Sequence, residues 1–140
     1  MELLEREAEL QALNQLVELA HDGEGQLAFV GGEAGVGKTL NLPLPRGTDL
    51  SGFDTALSEA LDAVQAHGTD LLVLSFGADT FEEDPISYFK LREDDYRTIG
   101  ARIASIGLPT LVVMEGGYAV DALGRNVDAL LSGFEEILPA

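Results

Sequence analysis

From Leu3 to Ala20, apolar residues recur every third or fourth position, at Leu10, Leu13, Leu16, Val17 and Ala20, with glutamates between them. That period marks one face of a helix, and Gly23 and Gly25 predict its end. The pattern then changes to a continuous apolar run, QLAFVGG at 26–32, which reads as a short buried strand entering a glycine-rich loop. NLPLPRGTD at 41–49 carries prolines at 43 and 45, so it is expected to be extended or at most an edge strand. Helical spacing resumes near Ser51, where Phe53, Leu57, Ala60, Leu61 and Val64 share a face that Gly68 closes. DLLVLSFGAD at 70–79 predicts a buried strand ending in a polar loop, with a turn signal at Asp84–Pro85. A third helix is expected over about Asp94 to Ile106, with Ile99 and Ile103 inward and a stop at Gly107 and Pro109. PTLVVMEGG at 109–117 reads as another buried strand. The last helix carries Val120, Leu123, Val127, Leu130, Leu131, Phe134 and Leu138 at helical spacing.

The resulting order is α-β-(β)-α-β-α-β-α. Its strands are continuous apolar runs, as in parallel strands covered on both faces. This predicts an α/β fold, a three-layer α/β/α domain with a small, mostly parallel sheet. Residues 27–31 are expected to pair in parallel beside 71–75 or 110–114. Ligands of open α/β sheets bind at the carboxyl ends of the strands, which singles out the loops at 31–39, 75–89 and 114–118.

Composition narrows the function classes. A length of 140 residues suits one domain. Twenty-five acidic against eight basic residues give a net charge of −17. A field of that sign repels phosphate backbones and argues against nucleic acid or an anionic membrane as partner. The longest strongly apolar stretch, Ile103 to Met114, contains Gly107 and Pro109 and is too short to span a bilayer. The absence of cysteine rules out a disulfide scaffold and any thiolate metal site. Together with an acidic, helix-patterned start unlike a secretory signal, it leads us to expect a cytoplasmic protein.

The first candidate chemistry lies in Gly32-Glu33-Ala34-Gly35-Val36-Gly37-Lys38-Thr39, a full match to G-x-x-x-x-G-K-[ST] with a predicted strand ahead of it. In a working loop of this kind, backbone N–H groups around Gly32 and Gly37 wrap a phosphate. Lys38 reaches the β/γ oxygens and the Thr39 hydroxyl holds Mg²⁺, so ATP with Mg²⁺ is the implied ligand. The downstream context is poor, because such a loop also uses the N-terminus of a following helix, and Pro43 and Pro45 leave room for about one and a half turns at most. The segment therefore reads either as a nucleotide site or as an anion-binding turn that holds no nucleotide. Residues 1–39, through Glu5-Arg6-Glu7-Ala8-Glu9-Leu10 and Gly32 to Thr39, resemble the start of the ATPase module of LuxR-class regulators.

Residues 40–140 resemble a different family, the acetylpolyamine amidohydrolases and histone deacetylases. The carriers are NLPLPRGTD at 41–49, LSFGADTFEEDPIS at 74–87 and MEGGYAVDALGRN at 114–126. The resemblance implies an α/β sandwich around a parallel sheet, of which this segment matches only the carboxyl-terminal part. It also implies zinc as the metal, a small acetylated amine as substrate and amide hydrolysis as the reaction. Asp79 falls on one of the family's three zinc ligands. Tyr118 falls on the tyrosine that donates a hydrogen bond to the substrate carbonyl, and Gly116 and Gly117 let the backbone turn beside it. The family's remaining ligands, an Asp-x-His pair, and its two adjacent histidines lie upstream of the NLPLP segment and have no match here. His21 and His67 are each alone near a predicted helix end. The run Glu82-Glu83-Asp84 reads first as a solvated loop and secondarily as a weak site for a hard cation.

The two resemblances meet at Thr39/Leu40 without a linker, which suggests a chimera of a 1–39 helix–strand–loop segment and a 40–140 deacetylase-like segment packed as one domain. The expected function is that of a carboxyl-terminal remnant of a zinc-dependent acetylpolyamine or acetyl-lysine amidohydrolase, incomplete and inactive alone. The alternative is a phosphate- or nucleotide-binding α/β module.

Overall fold

In a computed structural model of the chain, residues 25–33 and 36–137 are described. The helix predicted for Leu3 to Ala20, His21 and Leu138 fall outside them. Strand β1 (Gly25–Glu33) pairs antiparallel with β2 (Val36–Leu44), from Gly25 opposite Leu44 to Glu33 opposite Val36. The expectation that 27–31 joins the parallel sheet is therefore corrected: this strand forms a hairpin with the residues that follow it. The physical reason lies in residues 36–45, where Pro43 and Pro45 deny a helix. The extended chain is left to pair with its nearest neighbour. Among the described residues β2 pairs with β1 alone, an edge position in which Pro43 is tolerated.

The hairpin also changes the setting of the glycine-rich motif. Gly32 sits opposite Gly37, Gly31 opposite Lys38 and Val30 opposite Thr39. Where the phosphate-loop reading needs a helix after Thr39, the chain continues as strand to Leu44. The next helix, α1 (Leu50–His67), begins eleven residues after Thr39. No helix dipole faces Lys38 and Thr39 from their own following segment.

A second sheet is formed by β3 (Leu72–Phe76) and β4 (Thr110–Met114), parallel from Leu72 opposite Thr110 to Phe76 opposite Met114. Helix α2 (Glu93–Ala104) crosses from one strand to the other, and α3 (Val120–Ile137) follows β4. The α/β class and the parallel pairing are as the apolar runs predict. Each helix start has a local cause. The Asp49 carboxylate accepts the Gly52 N–H at 3.1 Å ahead of α1. At α2, the Arg92 N–H donates to the Asp95 carboxylate at 2.8 Å.

One core joins these elements. Leu57 and Leu61 of α1, Leu72 and Phe76 of β3, Tyr96, Ile99 and Ile103 of α2, and Leu130 and Phe134 of α3 are all buried in it. Burying a side chain of this size stabilises by about 1.5–3 kcal/mol. The other face of the β3–β4 sheet leaves Leu71, Val73, Leu111 and Val113 exposed.

Helix α3 turns inward Leu130 and Phe134, with Leu123 and Val127 packed beside them, as its apolar spacing predicts, but adds a stripe of small and polar residues that the spacing does not show. Ala122, Asn126, Leu130, Gly133 and Phe134 are buried, whereas Val120 is 80% exposed and Leu131 is partly exposed. The cause is close contact with α2, where Gly100 faces the Leu130 carbonyl and Gly133 faces the Arg97 carbonyl. Only small residues allow that approach. The ion pairs Arg97–Glu136 and Arg125–Glu93 flank the contact at its exposed rim. Exposed pairs of this kind contribute about 0–1 kcal/mol each.

Candidate functional site

Parallel pairing carries the two loops of interest to one edge of the sheet. Beyond the strand ends, the Glu115 N–H donates to the Phe76 carbonyl at 2.9 Å and the Ala78 N–H to the Gly116 carbonyl at 2.9 Å. Two more rungs of backbone bonding thus bind the loop after β3 to the loop after β4. Asp79 lies in the single turn Ala78–Thr80 that continues β3. Its carboxylate rests against Gly77 and Gly116: a Cβ on Gly77 would come within 2.6 Å of Asp79 Oδ1, and one on Gly116 would overlap Asp79 Oδ2. Gly117 has φ +131°, a backbone state that favours glycine, and a Cβ there would lie 2.7 Å from Leu123 Cδ1. The glycine pair therefore does two things: it makes room for the Asp79 carboxylate and turns the chain into Tyr118.

Asp79 and Tyr118 are thus brought to the same sheet edge, as the βα order predicts. Tyr118 stands at the entry to α3 with 57% of its surface exposed. His67 ends α1, ahead of β3, at the opposite edge. Gly32, Gly37, Lys38 and Thr39 belong to the other sheet. The segment at 45–49 joins the site's surround through the Gly47 N–H to the Tyr88 carbonyl, 2.6 Å, and the Lys90 N–H to the Thr48 carbonyl, 2.8 Å.

Two supporting residues have no such role in the sequence reading, which leaves Tyr96 unnamed and takes Asp84 only as part of an acidic run and a turn. Tyr96, almost fully buried on α2, shares a 3.0 Å hydrogen bond with Thr80 Oγ1 and donates to the Ala78 carbonyl at 3.3 Å, bracing the turn that holds Asp79. Burial is the main cause that pushes its phenol upward from the ordinary 10.0. The second is Asp84. The expectation of a solvated Glu82-Glu83-Asp84 run is corrected at this position, since Asp84 is only 5% exposed. Its Oδ2 accepts the N–H groups of Tyr118 at 2.6 Å and Ala119 at 2.9 Å, and its Oδ1 accepts the Ile86 N–H at 3.1 Å. The Asp84–Pro85 turn signal was the available clue, because an Asx turn draws the carboxylate back onto the chain.

Burial raises the Asp79 carboxyl above its ordinary 3.8; a backbone hydrogen bond within the residue opposes this, and the charges of Asp84 and Glu115 add to the rise. A raised acid holds its proton to higher pH in the folded chain than in the unfolded one. Stability therefore falls as pH climbs from the ordinary value through the folded one. Asp79→Asn is expected to raise the unfolding temperature at neutral pH, with the gain vanishing below 3.8, where both states are protonated. Thermal unfolding across that range checks the direction; a destabilised variant at neutral pH would contradict it.

A zinc site takes three or four protein ligands. Among the described residues no three His, Cys, Asp or Glu side chains gather to hold a metal ion. Asp84 is engaged by backbone N–H groups. The donor set around Asp79 therefore does not by itself fit a resident zinc.

Comparison with known proteins places these features in a family. The sequence profile of the histone deacetylase domain matches residues 18–134, a span that takes in the glycine-rich motif as well as the three segments named above. Acetylpolyamine amidohydrolase from Mycoplana ramosa is 50% identical over 109 residues, covering 78% of this chain and 32% of that protein. Acetylpolyamine amidohydrolase 2 from Pseudomonas aeruginosa is 46% identical over 107 residues, covering 76% of this chain and 31% of its own length. The crystal structure of acetylpolyamine aminohydrolase from Burkholderia pseudomallei superposes with a TM-score of 0.70 at 34% identity, over 76% of this chain and 31% of that one. The chain thus spans about a third of the length of the relatives it matches.

Proposed function

The chain belongs to the histone deacetylase domain family, and we propose that it is the carboxyl-terminal part of an amidohydrolase that removes acetyl groups from small acetylated amines. The observation that supports this most is the placement of Asp79 and Tyr118 on adjoining loops, joined by the Ala78–Gly116 backbone bond. In this reading Tyr118 donates its phenolic hydrogen to the amide carbonyl oxygen as that oxygen gains charge. More than half of the residue is exposed, which suits a group that meets a substrate. In such an enzyme Asp79 would offer one anionic oxygen to the zinc, with the other ligands supplied by residues outside those described. The substrate class follows the names of the relatives. The regulator-like origin inferred for residues 1–39 rests on the Gly32-to-Thr39 match, a stretch that the deacetylase match overlaps.

Alone, the 140-residue chain is expected to release no acetate from an acetylated polyamine above background, with or without added zinc. Metal-dependent turnover that disappears in both Asp79→Ala and Tyr118→Phe would overturn the incomplete site. Grafting residues 40–137 in place of the matching part of the Mycoplana ramosa enzyme tests whether the segment supports deacetylation.

A further inference from the structure

Gly116 and Gly117 precede Tyr118, which as a residue is more than half exposed. The chain entering it is tied at the Gly116 carbonyl, which accepts the Ala78 N–H, so what remains to be set is the residue itself. The fixed points are its own amide and the next one, both held by Asp84 Oδ2. These are N–H groups at a helix start, which have no partner within the helix. A buried carboxylate is a stronger acceptor for them than a neutral group.

Asp84 is itself tied to the Asp79 turn. The Phe81 N–H donates to the Ala78 carbonyl at 3.2 Å, the Asp84 N–H to the Phe81 carbonyl at 3.0 Å, and the Ile86 N–H to Asp84 Oδ1 at 3.1 Å. On the other side, the Ala78 N–H reaches the Gly116 carbonyl. A closed circuit of hydrogen bonds therefore runs from the Asp79 turn through Asp84 to Tyr118 and back through Gly116. We propose that Asp84 is the positioning residue that sets Tyr118 relative to Asp79. Its catalytic meaning rests on the deacetylase reading, whereas the positioning itself does not.

Backbone amide exchange and tyrosine ring signals, both followed by NMR in the 140-residue chain, test this without turnover. The three tyrosines at 88, 96 and 118 supply internal references. In Asp84→Ala, the amides of Tyr118 and Ala119 should exchange about 10- to 100-fold faster, the difference expected for losing a charged acceptor. Amides of β3 and β4 should keep their rates, and the ring signal of Tyr118 should move while that of buried Tyr96 stays. Asp84→Asn keeps one accepting oxygen and should give intermediate rates with the Tyr118 signal partly restored. It remains readable if the alanine variant does not fold. Unchanged rates at Tyr118 and Ala119 would overturn the proposal. So would an equal acceleration across β3, β4 and α2, which would make Asp84 a general stabiliser. A failed deacetylase graft with these NMR results intact would remove the catalytic reading and leave the positioning standing.

Discussion

Gly100→Ala is expected to remove about 3 kcal/mol or more of stability, lowering the unfolding temperature by roughly 10 °C. In isolation the same change favours a helix by about 1 kcal/mol. Here that gain is outweighed, because a Cβ on Gly100 overlaps the Leu130 carbonyl oxygen and lies 3.4 Å from the Gly133 Cα. These are backbone atoms, so no side-chain rotation relieves the overlap. The helices must move apart, and Ile99, Ile103, Leu130 and Phe134 then lose part of their burial. Against a typical total of about 5–15 kcal/mol, the loss is large. Gly124→Ala is the control: nothing lies within 4 Å of a Cβ at that position of α3, so only the propensity gain should appear. Unfolding of both variants by heat and urea decides the matter. Equal stability of Gly100→Ala and the parent would mean that α2 and α3 are not in the close contact described.

The same contact explains why α3 was only partly legible in the sequence. Helical periodicity weighs large apolar residues, and so points to Val120 and Leu131, both of which lie outward. A close crossing selects small residues instead, and Ala122 and Gly133 carry no hydropathy signal strong enough to reveal it. Strands β3 and β4 were readable because each is a short apolar run, broken in β3 only by Ser75, between turn residues. The hairpin was hidden for the opposite reason. Its glycines and Lys38-Thr39 fit a local motif whose partner helix lies further along the chain, and Pro43 already weighed against that helix. Asp79 and Tyr118 could be placed together from βα order alone. Asp84 could not, since three adjacent acidic residues look solvated unless the fold supplies N–H groups for one of them.

That division of labour around the Gly-Gly-Tyr loop leads to the expected behaviour of Tyr118→Phe in the grafted enzyme: a fall in kcat of about 10²- to 10³-fold, the effect of removing one oxyanion donor. The phenol interacts weakly with a neutral amide carbonyl and strongly with the charge that develops on it. The loss should therefore fall on kcat, with KM little changed. Phenylalanine preserves the ring. It also leaves the amide at 118 on Asp84, so the loop keeps its anchor and the fold is unaffected. Asp79→Ala differs in kind: it removes a carboxylate packed against Gly77 and Gly116, and should abolish both turnover and zinc retention. Steady-state kinetics on an acetylated polyamine, with metal content measured on each variant, separates the two. A Tyr118→Phe graft that retains zinc and turns over at the parent rate would show that the phenol is not the oxyanion donor. A rise in KM alone would make it a substrate-binding group instead.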